Sequence, residues 1–174
     1  MNQNQYLVYE ILPKFFDKDA NLIGVEIGVL GASGSLAIFT ELPNTKLYGI
    51  DPYEIREGNR YEAGSYPQEH LDINYKQAKA RFESFGNRGV LLKKRSDDAI
   101  EDVTEALDFV WIDGDHEYEQ VKRDILNWKS KLKSKAIIGG HDWQNDEVRQ
   151  AVLEVFKEEE IKLGDDFTWW REYV

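Results

Sequence analysis

The sequence predicts an α/β fold: a mostly parallel sheet with helices on both faces. Three observations carry that prediction. Short, nearly continuous apolar runs recur along the chain, amphipathic helical patterns fall between them, and most runs end in glycine or aspartate. Unbroken apolar runs suit strands covered on both faces, and strands alternating with helices imply right-handed βαβ units.

The elements follow in order. Leu7, Ile11 and Phe15 predict an N-terminal helix over about 5–16 that packs on the sheet. The run 22–28 (Leu-Ile-Gly-Val-Glu-Ile-Gly) is the first strand, 46–51 the second, 89–92 the third, 107–113 the fourth and 135–140 the fifth. Between the second and third, Leu71, Tyr75, Ala78, Phe82 and Phe85 mark a helix over 70–85. Asp97 can open a short helix over 97–105, with a cap at its start. Tyr118, Val121, Ile125, Trp128 and Leu132 recur at spacings of 3 and 4, so 117–132 is a helix with its charged residues turned to solvent. Val148, Val152, Val155 and Phe156 do the same for 146–160. The aromatic, β-branched tail 167–174 ends as a strand with no following helix.

One segment interrupts the pattern. The polar stretch 52–69 holds Gly58, Gly64 and Pro67, together with Tyr53, Arg56, Arg60 and Tyr61. It is either a lid or binding loop, or an idle surface insertion. There are no internal repeats or linkers, and 174 residues suffice for one domain over 1–174 with a core of its own.

Composition narrows the function. With 22 Lys+Arg against 33 Asp+Glu, the formal charge is −11. That argues against nucleic acid and against anionic lipid, both of which need clustered cations. No apolar run reaches the length of a membrane span, and residues 1–10 lack the pattern of a secretory signal. The absence of cysteine excludes disulfides, a thiolate nucleophile and Cys-ligated zinc. A cytoplasmic protein fits this composition.

In open α/β sheets, ligands sit beyond the carboxyl ends of the strands, where strand order reverses. After the first strand comes the loop Glu26 to Ser35, in which Gly28 and Gly31 let the backbone approach a ligand and Ser33 or Ser35 can cap the next helix. The second strand ends at Asp51, 25 residues after Glu26, where a carboxylate can accept ribose hydroxyls. Together they point to an adenosine-containing cofactor. Gly28, Gly31 and Gly34 follow G-x-x-G-x-x-G, not the G-x-G-x-x-G dinucleotide spacing, and Glu26 suits a cationic ligand better than a pyrophosphate. Asp113 ends the fourth strand, with His116 three residues on, and His141-Asp142 follow the fifth. Adjacent parallel strands lie about 4.8 Å apart, so these side chains should meet. Two carboxylates and an imidazole in a cleft suit a divalent cation, and His116 is the leading candidate for a general base. The alternative for His116 and His141 is a hydrogen-bonded structural histidine at a strand end or helix start. Asp115 reads as a cap, and Trp111, Trp169 and Trp170 as core.

Glu26-x-Gly28, Asp51, the segment Ile112-Asp113-Gly114-Asp115-His116-Glu117-Tyr118 and the closing Ile137-Ile138-Gly139-Gly140-His141-Asp142-Trp143 resemble class I S-adenosylmethionine-dependent methyltransferases. The nearest group is the small O-methyltransferase-like branch with an I-D-G-D-H-x-Y signature, and the resemblance covers about 20–145. It implies a seven-stranded Rossmann-like methyltransferase sheet, mostly parallel, with the tail as an antiparallel C-terminal edge strand. S-adenosyl-L-methionine would be held by the Glu26–Ser35 loop (Glu26, Gly28, Gly31, Ser33) and by Asp51. Pro52 or Tyr53 would flank the ring system, and Ser96 and Asp97 would contact the adenine. Asp113 and His116 would be catalytic, and Asp113, His141 and Asp142 would hold Mg²⁺ or Mn²⁺; either Asp113 and Asp142 bind the metal with waters or the imidazole favours Mn²⁺ or Fe²⁺, and metal-free use of the same residues is the alternative. The implied activity is O-methylation of a small hydroxylated molecule, a sugar or secondary metabolite; separately, edge strands and short lids often reach a neighbour, which makes a homodimer one arrangement open to this chain. Two other readings stand beside it: a non-catalytic cofactor-binding or assembly module of the same fold, and an NAD-dependent dehydrogenase.

Overall fold

Seven strands form one sheet in the order β3-β2-β1-β4-β5-β7-β6. They are β1 Ile23–Ile27, β2 Lys46–Ile50, β3 Gly89–Leu92, β4 Leu107–Ile112, β5 Leu132–Gly140, β6 Ile161–Leu163 and β7 Trp169–Tyr173. The structure is a computed structural model that describes residues 6–55 and 67–173. Neighbours among β1 to β5 run parallel, while β7 is antiparallel to both β5 and β6. The helices are α1 Ser33–Glu41, α2 Gln68–Ser84, the short α3 Ser96–Ala99, α4 Tyr118–Lys129 and α5 Asp146–Val155.

The two faces of the sheet divide the core by the period-two alternation of strand side chains. All six residues of β4 are buried. Phe109 and Trp111 pack with Leu7, Ile11, Phe39 and Phe82 under the N-terminal turns, α1 and α2. Val110 and Ile112 pack with Val121, Ile125, Trp128 and Val152 under α4 and α5. No helix among the described residues is long and apolar enough to cross a membrane.

Several elements depart from the sequence reading. The N-terminal helix is a π-helical turn, Leu7–Ile11, followed by a 3₁₀ turn, Leu12–Lys14, because Pro13 cannot donate the amide an α-helix needs. The helix expected over 97–105 is only the single turn α3. Strand β6 has no sequence signature: its Ile161-Lys162-Leu163 is too short for a clear pattern and, among the described residues, pairs only with β7. On α4 the apolar stripe holds through Trp128, but the helix ends at Lys129 and Leu132 begins β5 opposite Leu107, and the polar face is not all solvated, because Gln120 and Asp124 are buried. Ser33 does not cap α1. Its N-cap is Ala32, in the left-handed conformation with no side-chain cap, and Ser35 turns inward instead. Of the 52–69 segment, residues 56–66, including Arg56, Arg60 and Tyr61, lie outside the described residues, as do Gln5 and Val174.

Strand order reverses between β1 and β4. Register carries that point across the sheet: Ile27 pairs with Ile50 and Ile112, Ile50 with Leu92, and Ile112 with Gly140. The residues just beyond these positions therefore emerge on one edge.

Candidate active site

Gly28 is the pivot of that edge. Its amide donates to the Ile50 carbonyl at 2.9 Å, and the Asp113 amide donates to the Ile27 carbonyl at 2.8 Å. Its φ is +87°, and a Cβ here would stand 2.1 Å from the Asp113 carbonyl oxygen, so two strand-end loops touch backbone to backbone. Leu30 and Ala32 also have positive φ (46° and 63°), which curls the loop back toward β2. Asp51 receives it: Oδ2 accepts from the Val29 amide (3.1 Å) and the Leu30 amide (2.9 Å), while Oδ1 accepts from the Tyr53 amide (2.8 Å). Burial pushes the Asp51 carboxyl up, and those three amides oppose the shift. The Tyr53 hydroxyl donates to the Leu30 carbonyl at 2.8 Å, and its ring lies against Tyr75 in the core, not on an open face. Arg81 of α2 donates to the Gly31 carbonyl at 2.6 Å.

Glu26 lies under the loop, 1 % exposed, and accepts a hydrogen bond from Ser35 Oγ. Burial pushes its carboxyl up to about 8, against the Ser35 bond, with the charges of Asp113 and Asp51 adding to the rise. The folded protein thus holds a proton that the unfolded chain releases near its ordinary value of 4.5. Below about 4.5 both states are protonated and the group is neutral to stability; as pH rises toward 8 the folded state falls behind. Glu26→Gln should therefore match the wild type at pH 4.5 and exceed it by about 3–5 kcal/mol at pH 9. Urea midpoints at the two pH values measure this.

Ser96 and Asp97 do not face the edge with their side chains. Ser96 Oγ donates to Asp124 Oδ1, and Asp97 accepts from Asn127 Nδ2 at 3.1 Å and pairs with Arg123 at 3.4 Å, all on α4.

The expected cluster does assemble beyond β4 and β5. Asp113, His141 and Asp142 each offer a ligand atom, all within 4.8 Å of one another. They line a small cleft shared with His116, Val148 and Trp169. Burial pushes the Asp113 carboxyl up to about 7; His141 and His116 draw it down, and Asp142 pushes it further up. His116 Nε2 lies 2.7 Å from Asp142 Oδ2, and that bond raises the imidazole above its ordinary value despite burial. Burial alone would lower His141, but the adjacent Asp142 carboxylate wins and its net shift is upward. Asp142 is held far below the usual carboxylate range, because the two imidazoles outweigh its burial. Its φ of +64° aims it back across the cleft.

His141 has a fixed tautomer. Its Nε2 donates to the Asp166 carbonyl at 2.6 Å. Its Nδ1 sits 3.2 Å from Asp142 Oδ2, within ion-pair range but outside hydrogen-bonding geometry, so this buried nitrogen has no hydrogen-bond partner. A neutral ring held this way points its lone pair at a carboxylate, an arrangement that a cation or proton between them relieves. The turn between β6 and β7 that supplies the Asp166 carbonyl is a part of the site with no mark in the sequence. Asp115 Oδ1 accepts from the Glu117 amide at 2.9 Å, an Asx turn ahead of α4. Trp143 lies partly buried beside the second core cluster, its amide bonded to the Phe167 carbonyl.

Comparison with known proteins bears on the family and the fold. Residues 25–143 match the family model Methyltransf_24, described as a methyltransferase domain. Protein y4gI of Sinorhizobium fredii, uncharacterised, is 30 % identical over 114 residues, which is 64 % of this chain and 11 % of that protein, so the chain spans about a ninth of that relative's length. Among solved structures, a Streptococcus mutans protein assigned as a methyltransferase, in complex with SAH, superposes with a TM-score of 0.67 at 12 % identity, covering 100 % of this chain and 99 % of that one. A Staphylococcus aureus protein assigned as a caffeoyl-CoA O-methyltransferase gives 0.62 at 15 %, covering 87 % and 75 %.

Proposed function

The chain belongs to the Methyltransf_24 family of methyltransferase domains, and from that premise we propose that it transfers the methyl group of S-adenosylmethionine to a hydroxyl of a small molecule such as a sugar or secondary metabolite. The observation that carries this reading is the meeting of Asp113, His116, His141 and Asp142 beside the Gly28 loop. A dehydrogenase reading fits less well, since antiparallel β7 lies between β5 and β6 where a dinucleotide fold continues its parallel sheet.

In this reading Gly28 and Gly31 bring the loop backbone against the cofactor, Asp51 stands at its ribose, and the protonated Glu26 would ionise beside a cationic ligand. The bound cofactor supplies an electrophilic methyl carbon. Transfer then requires an acceptor oxygen held in line and relieved of its proton. His116 takes that proton. Its Nε2, 2.7 Å from Asp142 Oδ2, holds the ring at the cleft. Asp142 orients the ring and stabilises the imidazolium that forms, as a carboxylate does for any paired general base.

The donor set also fits a divalent cation: two carboxylates and the unpartnered His141 Nδ1. Asp113, His141 and Asp142 would hold it, and it would supply Lewis acidity that lowers the acceptor hydroxyl's pKa. An imidazole among the ligands favours Mn²⁺ or Fe²⁺ over Mg²⁺.

Isothermal titration with S-adenosylmethionine tests the cofactor assignment, with one site per chain expected; no heat at millimolar ligand would count against it. Titration of Mn²⁺ into the wild type and Asp142→Ala tests the metal independently. The expected result is measurable binding that weakens about 10-fold to 100-fold in the variant, and absence of binding to the wild type removes the cation from the account.

A further inference from the structure

Three hydrogen bonds tie the β6–β7 hairpin to the end of β5. His141 Nε2 donates to the Asp166 carbonyl at 2.6 Å, the Trp143 amide to the Phe167 carbonyl at 3.0 Å, and Trp169 Nε1 to the His141 carbonyl at 3.2 Å. The turn they hold is unfavourable on its own. Phe167 has a φ of +66°, which glycine or asparagine adopts far more readily than a bulky side chain. Asp166 Oδ2 and Thr168 Oγ1 are buried with no hydrogen-bond partner among the described residues. Backbone strain of this kind persists only where the surroundings impose it, and it collects at ligand clamps. The strained ring is not a core residue: Phe167 is 53 % exposed. Leu163 is 52 % exposed and pairs with Trp169 across the hairpin, so it lies on the sheet face from which Trp169 lines the Asp113 cleft. Two open apolar side chains thus border a cleft whose polar lining is Asp113, His116, His141 and Asp142.

We propose that Phe167 is a specificity-determining residue: with Leu163 it forms an apolar shelf for the methyl acceptor, selecting a hydroxyl borne on a flat aromatic ring over the hydroxyls of a sugar. This rests on the methyltransferase reading above and narrows its acceptor. The polar cluster receives the hydroxyl, and the acceptor's ring covers Phe167. Paired rings gain contact beyond the area they bury, whereas a ring hydroxylated all round gives up water from hydroxyls that Phe167 and Leu163 cannot bond.

The test titrates resorcinol and myo-inositol into the full chain saturated with S-adenosylhomocysteine. Both probes are six-membered rings bearing hydroxyls; resorcinol is planar with bare faces, and its hydroxyls are too far apart to chelate a metal, while myo-inositol is hydroxylated on every carbon. The wild type should bind resorcinol about tenfold more tightly or better. Phe167→Gly and Phe167→Asn both accept the left-handed backbone, and each should weaken resorcinol about 5-fold to 10-fold without changing myo-inositol. Phe167→Tyr should keep the wild-type ratio, and Leu163→Ser should lower it about threefold. A ring kept for packing alone would lower the thermal midpoint on truncation and leave the ratio unmoved. The proposal is overturned if the wild type binds myo-inositol as well as resorcinol, if it binds neither probe, or if Phe167→Gly and Phe167→Asn keep the wild-type ratio. It is equally overturned if neither of those variants folds, which would make the ring a fold element; if only one folds, that one decides. A wild type that does not bind S-adenosylhomocysteine refutes the cofactor reading instead.

Discussion

Gly28→Ala should destabilise the protein by about 3–5 kcal/mol, a large share of the 5–15 kcal/mol that holds a typical domain together. Two independent costs add. A φ of +87° is strained for any L side chain, a matter of about 1–3 kcal/mol. The new methyl would also stand 2.1 Å from a backbone oxygen, that of Asp113, which cannot swing aside as a flexible side chain can. Gly86→Ala separates the two terms: its φ is +60° but nothing lies within 4 Å of an added methyl, so only the conformational cost applies, about 1 kcal/mol. Urea midpoints at constant m measure both. Whatever fraction of Gly28→Ala folds must displace Asp113, so its cofactor binding should fall as well. A Gly28→Ala protein as stable as Gly86→Ala would contradict the backbone contact between the β1 and β4 loops.

His116→Ala should lower kcat by about 10²–10⁴-fold, the usual contribution of a general base, with cofactor affinity within about twofold of wild type. The asymmetry arises because His116 sits beyond β4 with Asp142, while the Gly28 loop and Asp51, where the cofactor is proposed to lie, follow β1 and β2. The pH profile adds a sign. A base must be neutral to act, and the Asp142 bond raises the imidazole above its ordinary 6.5. Activity of the wild type should therefore climb with pH through a value above 6.5, and that limb should vanish in the variant. Asp142→Asn should shift the same limb to lower pH, because the anchor loses its charge. Loss of cofactor binding in His116→Ala with an unchanged pH limb would assign the histidine to structure.

Much of this was legible in the chain because strand-end chemistry is local. Asp113-Gly114-Asp115-His116 and His141-Asp142 each follow an unbroken apolar run, and two parallel neighbours in register must bring such ends together. The buried stripe of α4 likewise follows from spacing alone. What the chain hid depends on partners distant in sequence. Asp124 resembles any charged residue on an amphipathic helix until Ser96, 28 residues away, is seen to donate to it. The tautomer of His141 is set by a main-chain carbonyl at Asp166, and a carbonyl has no side-chain signature. Ser35 looks like a helix cap by position, yet a left-handed Ala32 removes it from the cap and turns its hydroxyl onto Glu26. Strand β6 exists only because β7 offers it an edge.

A crystal structure grown with S-adenosylhomocysteine and Mn²⁺ probes the convergence of the strand tips most directly. The nucleoside should lie over the Gly28 loop with its ribose at Asp51, its sulfur directed toward His116, and an anomalous manganese peak between Asp113, His141 and Asp142. Nucleoside density away from β1 and β2, or no route from its sulfur to the His116 cleft, would contradict it.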